Sequence, residues 1–289
     1  MAAWVALLRP RQWVKNAFVL APLLFSGRAT DPATIARAVV ATVGFCLLAS
    51  GVYALNDVRD RERDRLHPGK RGRPVASGRI SVRTALFASA VLLLVACTVS
   101  TALDPRLGLV AVAYVALNIA YTLGLKDMVI LDVFLISAFF LLRLLAGAVA
   151  ISVRPSIWLL LCGGLLALYL GFAKRRHELL LLADDSTGHR TVLAFYGPEL
   201  LDQMSVVLLS VTIVSYIMYT LNSQTAMLVG SEMLAYSTVF VLYGVFRYLY
   251  LVHQKGRGSP TETLLTDPAL MVTIFLWLAY CGWVIYRPF

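Results

Sequence analysis

Ile35–Asp64 reads IARAVVATVGFCLLASGVYALNDVRDRERD, an apolar stretch that becomes ionic within a few residues. From Ile35 to Leu55 the run has the length of a helix that crosses a hydrocarbon core, about 20 residues. On a helix that continues past Leu55, Asp57, Asp60 and Asp64 fall at i, i+3 and i+7 and share one face. Three carboxylates that close repel one another unless a cation lies among them. Hard oxygen ligands at a membrane boundary suit Mg2+, which usually comes with a phosphorylated substrate. A solvated acidic helix end is the plainer alternative. The sequel Lys70-Arg71-Gly72-Arg73-Pro74 weighs against it, because metal ligands followed by fixed cations form a diphosphate-binding combination.

The rest of the chain shares the apolar character of this stretch. Its 289 residues are 59% hydrophobic and only 15% charged, with a mean hydropathy of +0.76, far from an ordinary soluble domain. Apolar runs predict spans over about 13–27, 34–56, 81–102, 107–125, 129–151, 156–173, 203–222, 231–252 and 268–286. Pro22 interrupts the first. Backbone polar groups cannot go unpaired in lipid, so these spans are expected to be helices. The expectation is an all-α polytopic membrane protein with nine transmembrane helices, forming a single integral-membrane domain over residues 1–289.

A formal charge of +10 could suggest nucleic acid, but the placement of the cations argues for topology instead. Arg9, Arg11 and Lys15 precede or open the first run, and nine cations from Arg59 to Arg83 fill the second connection. Lys126 lies in the fourth, Lys174, Arg175, Arg176 and Arg190 around the sixth, and Arg247, Lys255 and Arg257 around the eighth. The odd connections hold only Arg28, Arg37, Arg106 and Arg154. By the positive-inside rule the N-terminus and the even connections are cytoplasmic in a multi-pass cell-membrane protein, and the C-terminal Arg287-Pro288-Phe289 lies outside. Met1–Leu8 is too short for a signal peptide and reads as an uncleaved interfacial helix. Cys46, Cys97, Cys162 and Cys281 are scattered through apolar spans, and the four histidines show no zinc spacing.

With the even connections on one side, the polar clusters are expected at one cytoplasmic mouth. His67-Pro68-Gly69-Lys70 breaks the acidic helix, and Gly72, Pro74 and Gly78 keep the basic sequel irregular, so that amides and guanidiniums can wrap phosphate oxygens. The fourth connection reads Tyr121-x-x-x-x-Lys126-Asp127, where Lys126 is either a topology anchor or a cation for a leaving group. Asp132 and Arg143 sit inside an apolar span, at about 2.5–3.5 kcal/mol each on insertion scales. They are eleven residues and about 16 Å apart along a helix, so each needs its own partner or water. Lys174-Arg175-Arg176-His177-Glu178 is a charged step inside a longer helix, because Leu179–Leu182 resumes the apolar run. Lys174 and Glu178 could simply pair at i, i+4. Asp184-Asp185 reads as an exposed loop, and the polar stretch 256–263 as a linker or a flap over the site.

Taken in order, these residues resemble the UbiA superfamily of intramembrane prenyltransferases, nine-helix bundles with an N-D-x-x-D-x-x-x-D motif on the second helix. Within it the sequence is most similar to the decaprenyl-phosphate phosphoribosyltransferase branch. That likeness rests on Arg9-Pro10-Arg11-Gln12-Trp13-x-Lys15-Asn16, Asn56-Asp57-Val58-Arg59-Asp60, Lys70-Arg71-x-Arg73-Pro74 and Lys174-Arg175-x-x-Glu178-Leu179. Prenyltransferases proper carry a second aspartate-rich motif near the end of the sixth helix, where this chain has Lys174, Arg175 and Glu178.

The resemblance implies an Mg2+-dependent pentosyltransferase that moves 5-phosphoribosyl from phosphoribosyl pyrophosphate to a polyprenyl phosphate for cell-envelope polysaccharide precursors. Asp57, Asp60 and Asp64 would hold the metal against the donor's diphosphate, with Asn56 orienting it. Lys126, Lys70, Arg71 and Arg73 would neutralise the departing pyrophosphate. Lys174 and Arg175 would hold the 5-phosphate, and Glu178 a ribose hydroxyl. Arg11, Lys15 and Asn16 would receive the acceptor's phosphate, and Tyr121 and Arg143 complete the substrate-binding candidates. Two alternatives remain at this stage: transfer of a prenyl group to an aromatic or quinone-type acceptor, and a transporter or lipid-binding protein. Isoprenoid length and any homo-oligomer are not legible in the sequence.

Overall fold

The computed structural model describes residues 2–182, 193, 195–222, 225, 232–254, 263 and 266–287. Among them the regular structure is helical throughout. Helix α1 (Ala2–Leu8) leads into a 3-10 segment (Pro10–Val19) and α2 (Ala21–Phe25). Then come α3 (Pro32–Arg59), α4 (Arg61–Leu66), α5 (Val82–Leu103), α6 (Pro105–Leu123) and α7 (Leu131–Ala150). A second series comprises α8 (Ile157–Leu182), α9 (Pro198–Leu221), a 3-10 turn (Glu232–Ser237), α10 (Thr238–Gln254) and α11 (Pro268–Tyr286). Eight of these segments are long and apolar enough to cross a membrane. The stretches 184–185 and 256–262, read above as loop and flap, lie outside the described residues, as do Arg190, Lys255 and Arg257.

Several helices start where the sequence supplies both a cap and a fixed φ. Asp31, Asp104 and Asp267 each accept backbone N–H bonds at the head of α3, α6 and α11, and each precedes a proline. An aspartate satisfies orphan amides there, and proline at the first position loses no needed donor.

The first expected span is corrected. Residues 13–27 form no single transmembrane helix but a 3-10 segment followed by the five-residue α2. Pro10 and Pro22 each open a new helical start instead of continuing the previous one. Tertiary packing supports the result: Val19 joins the core formed with Phe45, Leu48, Leu107, Tyr114 and Phe139. Gly147 of α7 is needed for that approach, since a Cβ there would lie 2.0 Å from the Val19 carbonyl oxygen.

Two compact units emerge, one over Met1–Pro155 and one carrying α8 to α11. In the first, a small cluster of Leu7, Ala54, Val75, Ile80 and Ala85 seats both α1 and the loop after α4 against α3. That packing brings the N-terminal segment and the basic loop to the turn of α3 that bears Asp57. In the second, Tyr169, Ala173, Leu209, Tyr248 and Leu270 form the core between α8, α9, α10 and α11.

Candidate active site

Asp57 sits in the last turns of α3, and Asp60 is the joint between α3 and α4. Helical hydrogen bonds continue across the joint: the Asp60 N–H donates to Asn56 O at 2.8 Å and the Asp64 N–H to Asp60 O at 2.8 Å. Asp57 and Asp64 are both buried, while Asp60 is partly exposed. His67 ends α4, as the sequence predicts, and its Nδ1 accepts the Gly69 N–H at 3.1 Å. Burial, aided by Lys70, holds its imidazole below the usual range.

The carboxylates are met by cations from three other segments. The Arg9 guanidinium donates to Asp57 Oδ1. Arg73 Nη1 lies 3.3 Å from Asp57 Oδ1 and 2.6 Å from Asp64 Oδ2, so one nitrogen bridges two acids. Lys126 Nζ is 3.3 Å from Asp60 Oδ1. Thr122 Oγ1 lies 2.7 Å from Asn56 Oδ1 and 2.8 Å from Asn118 O, which fixes the Asn56 amide beside the acids. Asp57 Oδ2 is buried without a hydrogen-bond partner.

Arg9 is held by a short ladder down one face of α3. Ser50 Oγ lies 2.8 Å from both Leu8 O and Cys46 O, which share its one hydrogen, and accepts the Trp13 indole N–H at 3.1 Å. Three residues on, the Tyr53 ring lies 5.2 Å beneath the Arg9 guanidinium, and one turn further stands Asp57. Positions 50, 53 and 57 share a helical face, so the N-terminal segment tracks α3 toward the acids. Burial lowers the Arg9 pKa and Asp57 opposes it, but a guanidinium keeps its proton in proteins. Arg9 is the residue sequence reasoning missed. It stood in a quoted motif but was read only as a topology charge.

Other expected site residues are dispersed. Lys70 is half-buried, Arg71 and Arg11 are exposed, and Tyr121 packs edge-on against Phe139 at 5.7 Å between centroids. Lys15 is half-buried; burial, then the guanidiniums of Arg143 and Arg9, push its ammonium down to about 8. Asn16 and Arg143, both expected to meet substrate, bond each other in this structure. Arg143 Nε donates to Asn16 Oδ1 at 2.7 Å, Nη2 to Tyr114 Oη at 2.8 Å and Nη1 to Phe139 O at 2.8 Å. Asn16 Nδ2 turns to Cys46 Sγ at 3.2 Å. Both are buried, so their polar atoms are committed to each other. Asp132 is buried at the head of α7, and as expected it is not what Arg143 bonds.

In the second unit α8 does run unbroken through the charged step, from Ile157 to Leu182. Lys174 Nζ is 3.8 Å from Glu178 Oε1, and Arg175 Nη1 donates to Glu178 Oε2. Arg175 is 0% exposed while Lys174 is 46% exposed. Arg176 pairs with Asp202 of α9 at 2.5 Å, and His253 Nε2 of α10 reaches the same carboxylate at 3.4 Å.

The three acids are not preassembled into a metal cage: among the described residues no three His, Cys, Asp or Glu side chains converge on one point. The first-unit residues nonetheless fit Mg2+. That ion takes one or two carboxylates and completes its shell with water and phosphate oxygens. Asp57 supplies a buried, unpartnered oxygen, and Asp64 shares its guanidinium.

A model described as the UbiA prenyltransferase family matches residues 17–279. The chain is 33% identical to the decaprenyl-phosphate phosphoribosyltransferase of Mycolicibacterium smegmatis, with 96% of this chain and 91% of that protein covered. It is also 33% identical to the protein of that name from Corynebacterium glutamicum, covering 94% and 83% of the two chains. In fold it is similar to a UbiA homolog from Archaeoglobus fulgidus bound to GPP and Mg2+, with a TM-score of 0.72 over 99% and 100% of the chains at 18% identity. A family match across nearly the whole sequence, with relatives a third identical end to end, means that this chain belongs to the UbiA prenyltransferase family.

Proposed function

We propose that the chain transfers the 5-phosphoribosyl group of phosphoribosyl pyrophosphate to a polyprenyl phosphate and releases pyrophosphate. The observation that carries this reading is the α3 terminus, where a buried carboxylate with one unpartnered oxygen stands among Arg9, Arg73 and Lys126. Carboxylate oxygens beside fixed guanidiniums suit a diphosphate that travels with a divalent cation. Relatives named decaprenyl-phosphate phosphoribosyltransferase support the choice of donor and acceptor.

In the proposed reaction the bond from ribose C1 to the diphosphate oxygen breaks, and its electron pair leaves on pyrophosphate. An oxygen of the acceptor's phosphate forms the new bond to C1. Asp57 and Asp64, with Asp60 beside them, would hold Mg2+, which when bound neutralises charge on the leaving diphosphate. Arg73, Lys126, Lys70 and Arg71 would bind the same phosphate oxygens, and the Asn56 NH2 would orient them. Arg11 and Lys15 would receive the acceptor's phosphate. Lys174 and Arg175 are proposed on chemical grounds for the 5-phosphate and Glu178 for a ribose hydroxyl. The acceptor is already an anion, so positioning and leaving-group stabilisation carry the rate, with no strong general base. By the topology rule this chemistry would lie on the cytoplasmic side, where a water-soluble sugar donor is available. The product would feed cell-envelope polysaccharide synthesis.

The test is purified protein with Mg2+, a polyprenyl phosphate and either phosphoribosyl pyrophosphate or a prenyl diphosphate, with the lipid product identified by mass. A lipid-linked phosphoribose from the first donor is the expected result. A prenylated acceptor from the second donor alone would replace this reading with an ordinary prenyltransferase.

A further inference from the structure

The acids at the end of α3 are matched charge for charge. Asp57 is bonded by Arg9, Asp57 and Asp64 are bridged by Arg73, and Asp60 is paired with Lys126. The cluster is therefore formally neutral, and Asp57 and Asp64 are buried. A bare divalent cation added to it would leave two excess positive charges in a poorly screened place. A metal bound to a diphosphate brings its own anionic oxygens, which are good partners for displaced guanidiniums.

Arg9 is built to make such an exchange without moving its backbone. Its φ of 53° and ψ of 57° lie in the left-handed region, which a residue with a Cβ seldom adopts and which marks a geometry imposed by its surroundings. Arg9 N–H donates to Val5 O at 3.1 Å, Arg9 O accepts the Gln12 N–H at 2.8 Å, and Trp13 donates to the Ser50 hydroxyl of α3, so the chain around Arg9 is fastened. Tyr53 supports the guanidinium from one face at 5.2 Å. A pinned Cα and a flat aromatic support let the side chain rotate between a carboxylate and a neighbouring phosphate.

Resting on the metal–diphosphate reading above, we propose that Arg9 and Arg73 are exchangeable counter-ions. They neutralise Asp57 and Asp64, and pass to the phosphate oxygens of an arriving metal–diphosphate while the carboxylates turn to the metal. The site then selects the metal–diphosphate complex over the free metal, so that metal and donor bind as one unit. Arg9 is on this account a donor-binding residue with a second duty.

The experiment is calorimetric titration of detergent-purified protein with Mn2+ alone and with preformed Mn2+–pyrophosphate. The wild type is expected to bind the complex about a hundredfold more tightly than the free ion. Arg9→Ala should bind free Mn2+ about tenfold more tightly and the complex about tenfold more weakly, and Arg9→Lys should recover part of the preference. Equal loss of both ligands in Arg9→Ala, with no recovery in Arg9→Lys, would make Arg9 a structural staple and overturn the exchange. So would a wild type that binds free Mn2+ as tightly as the complex. Asp57→Asn separates the two ideas. If it abolishes binding of the complex while the exchange fails, the metal reading stands alone; if it leaves that binding intact, both fall.

Discussion

The two ionic clusters, at the end of α3 in one unit and the end of α8 in the other, are assembled in opposite ways. On α8 the partners come mainly from one helix: Lys174 and Arg175 reach Glu178 at i+4 and i+3. On α3 the acids lie on one helical face, but their cations arrive from Arg9, Arg73 and Lys126 in three separate segments. Helix-local pairs form wherever the helix forms. Pairs drawn from distant segments exist only if the tertiary fold holds those segments together. The α8 cluster is thus a built-in feature of its helix, and the α3 cluster is a product of packing, with partners that can be exchanged for those of a ligand.

Substitutions should expose that difference. Arg73→Ala removes the one nitrogen shared by Asp57 and Asp64. Turnover per unit donor should fall about a hundredfold, the scale of losing one preorganised charge partner. Arg73→Lys should restore less than half of that loss on a logarithmic scale, because a point charge lacks the guanidinium fork. Steady-state kcat/KM with phosphoribosyl pyrophosphate checks both; an Arg73→Ala enzyme within threefold of wild type would remove the bridging cation from the account.

A smaller effect is expected on α8. Lys174 is half exposed, so Lys174→Ala should leave thermal stability almost unchanged and raise the KM for phosphoribosyl pyrophosphate about tenfold with little change in kcat. A fall in kcat at constant KM would mean that Lys174 acts on the leaving group and not on the distal phosphate.

What could be read from the sequence follows the same division between local and distant. Helix α3, its acidic end, the break at His67 and the unbroken passage of α8 through Lys174–Glu178 all rest on spacing within one segment, and all are found. The run 13–27 is helical but not continuous, because Pro10 and Pro22 divide it into a 3-10 segment and a short helix. Asn16 entered through its place in the Arg9–Asn16 motif. The bond it accepts from Arg143, 127 residues away, is announced by no local pattern. Arg9 escaped for the same reason, lying 48 residues from Asp57. No local rule points to it: a residue before proline favours extended backbone, whereas Arg9 is left-handed at φ 53° and ψ 57°.

The central claim is that the α3 carboxylates hold the metal for a departing pyrophosphate. Its most direct test is pyrophosphate release from phosphoribosyl pyrophosphate and polyprenyl phosphate by Asp57→Asn at saturating Mg2+. Asparagine keeps the shape and removes the charge, so a fall of about a thousandfold is expected, with the protein still folded. Release at the wild-type rate would contradict the account.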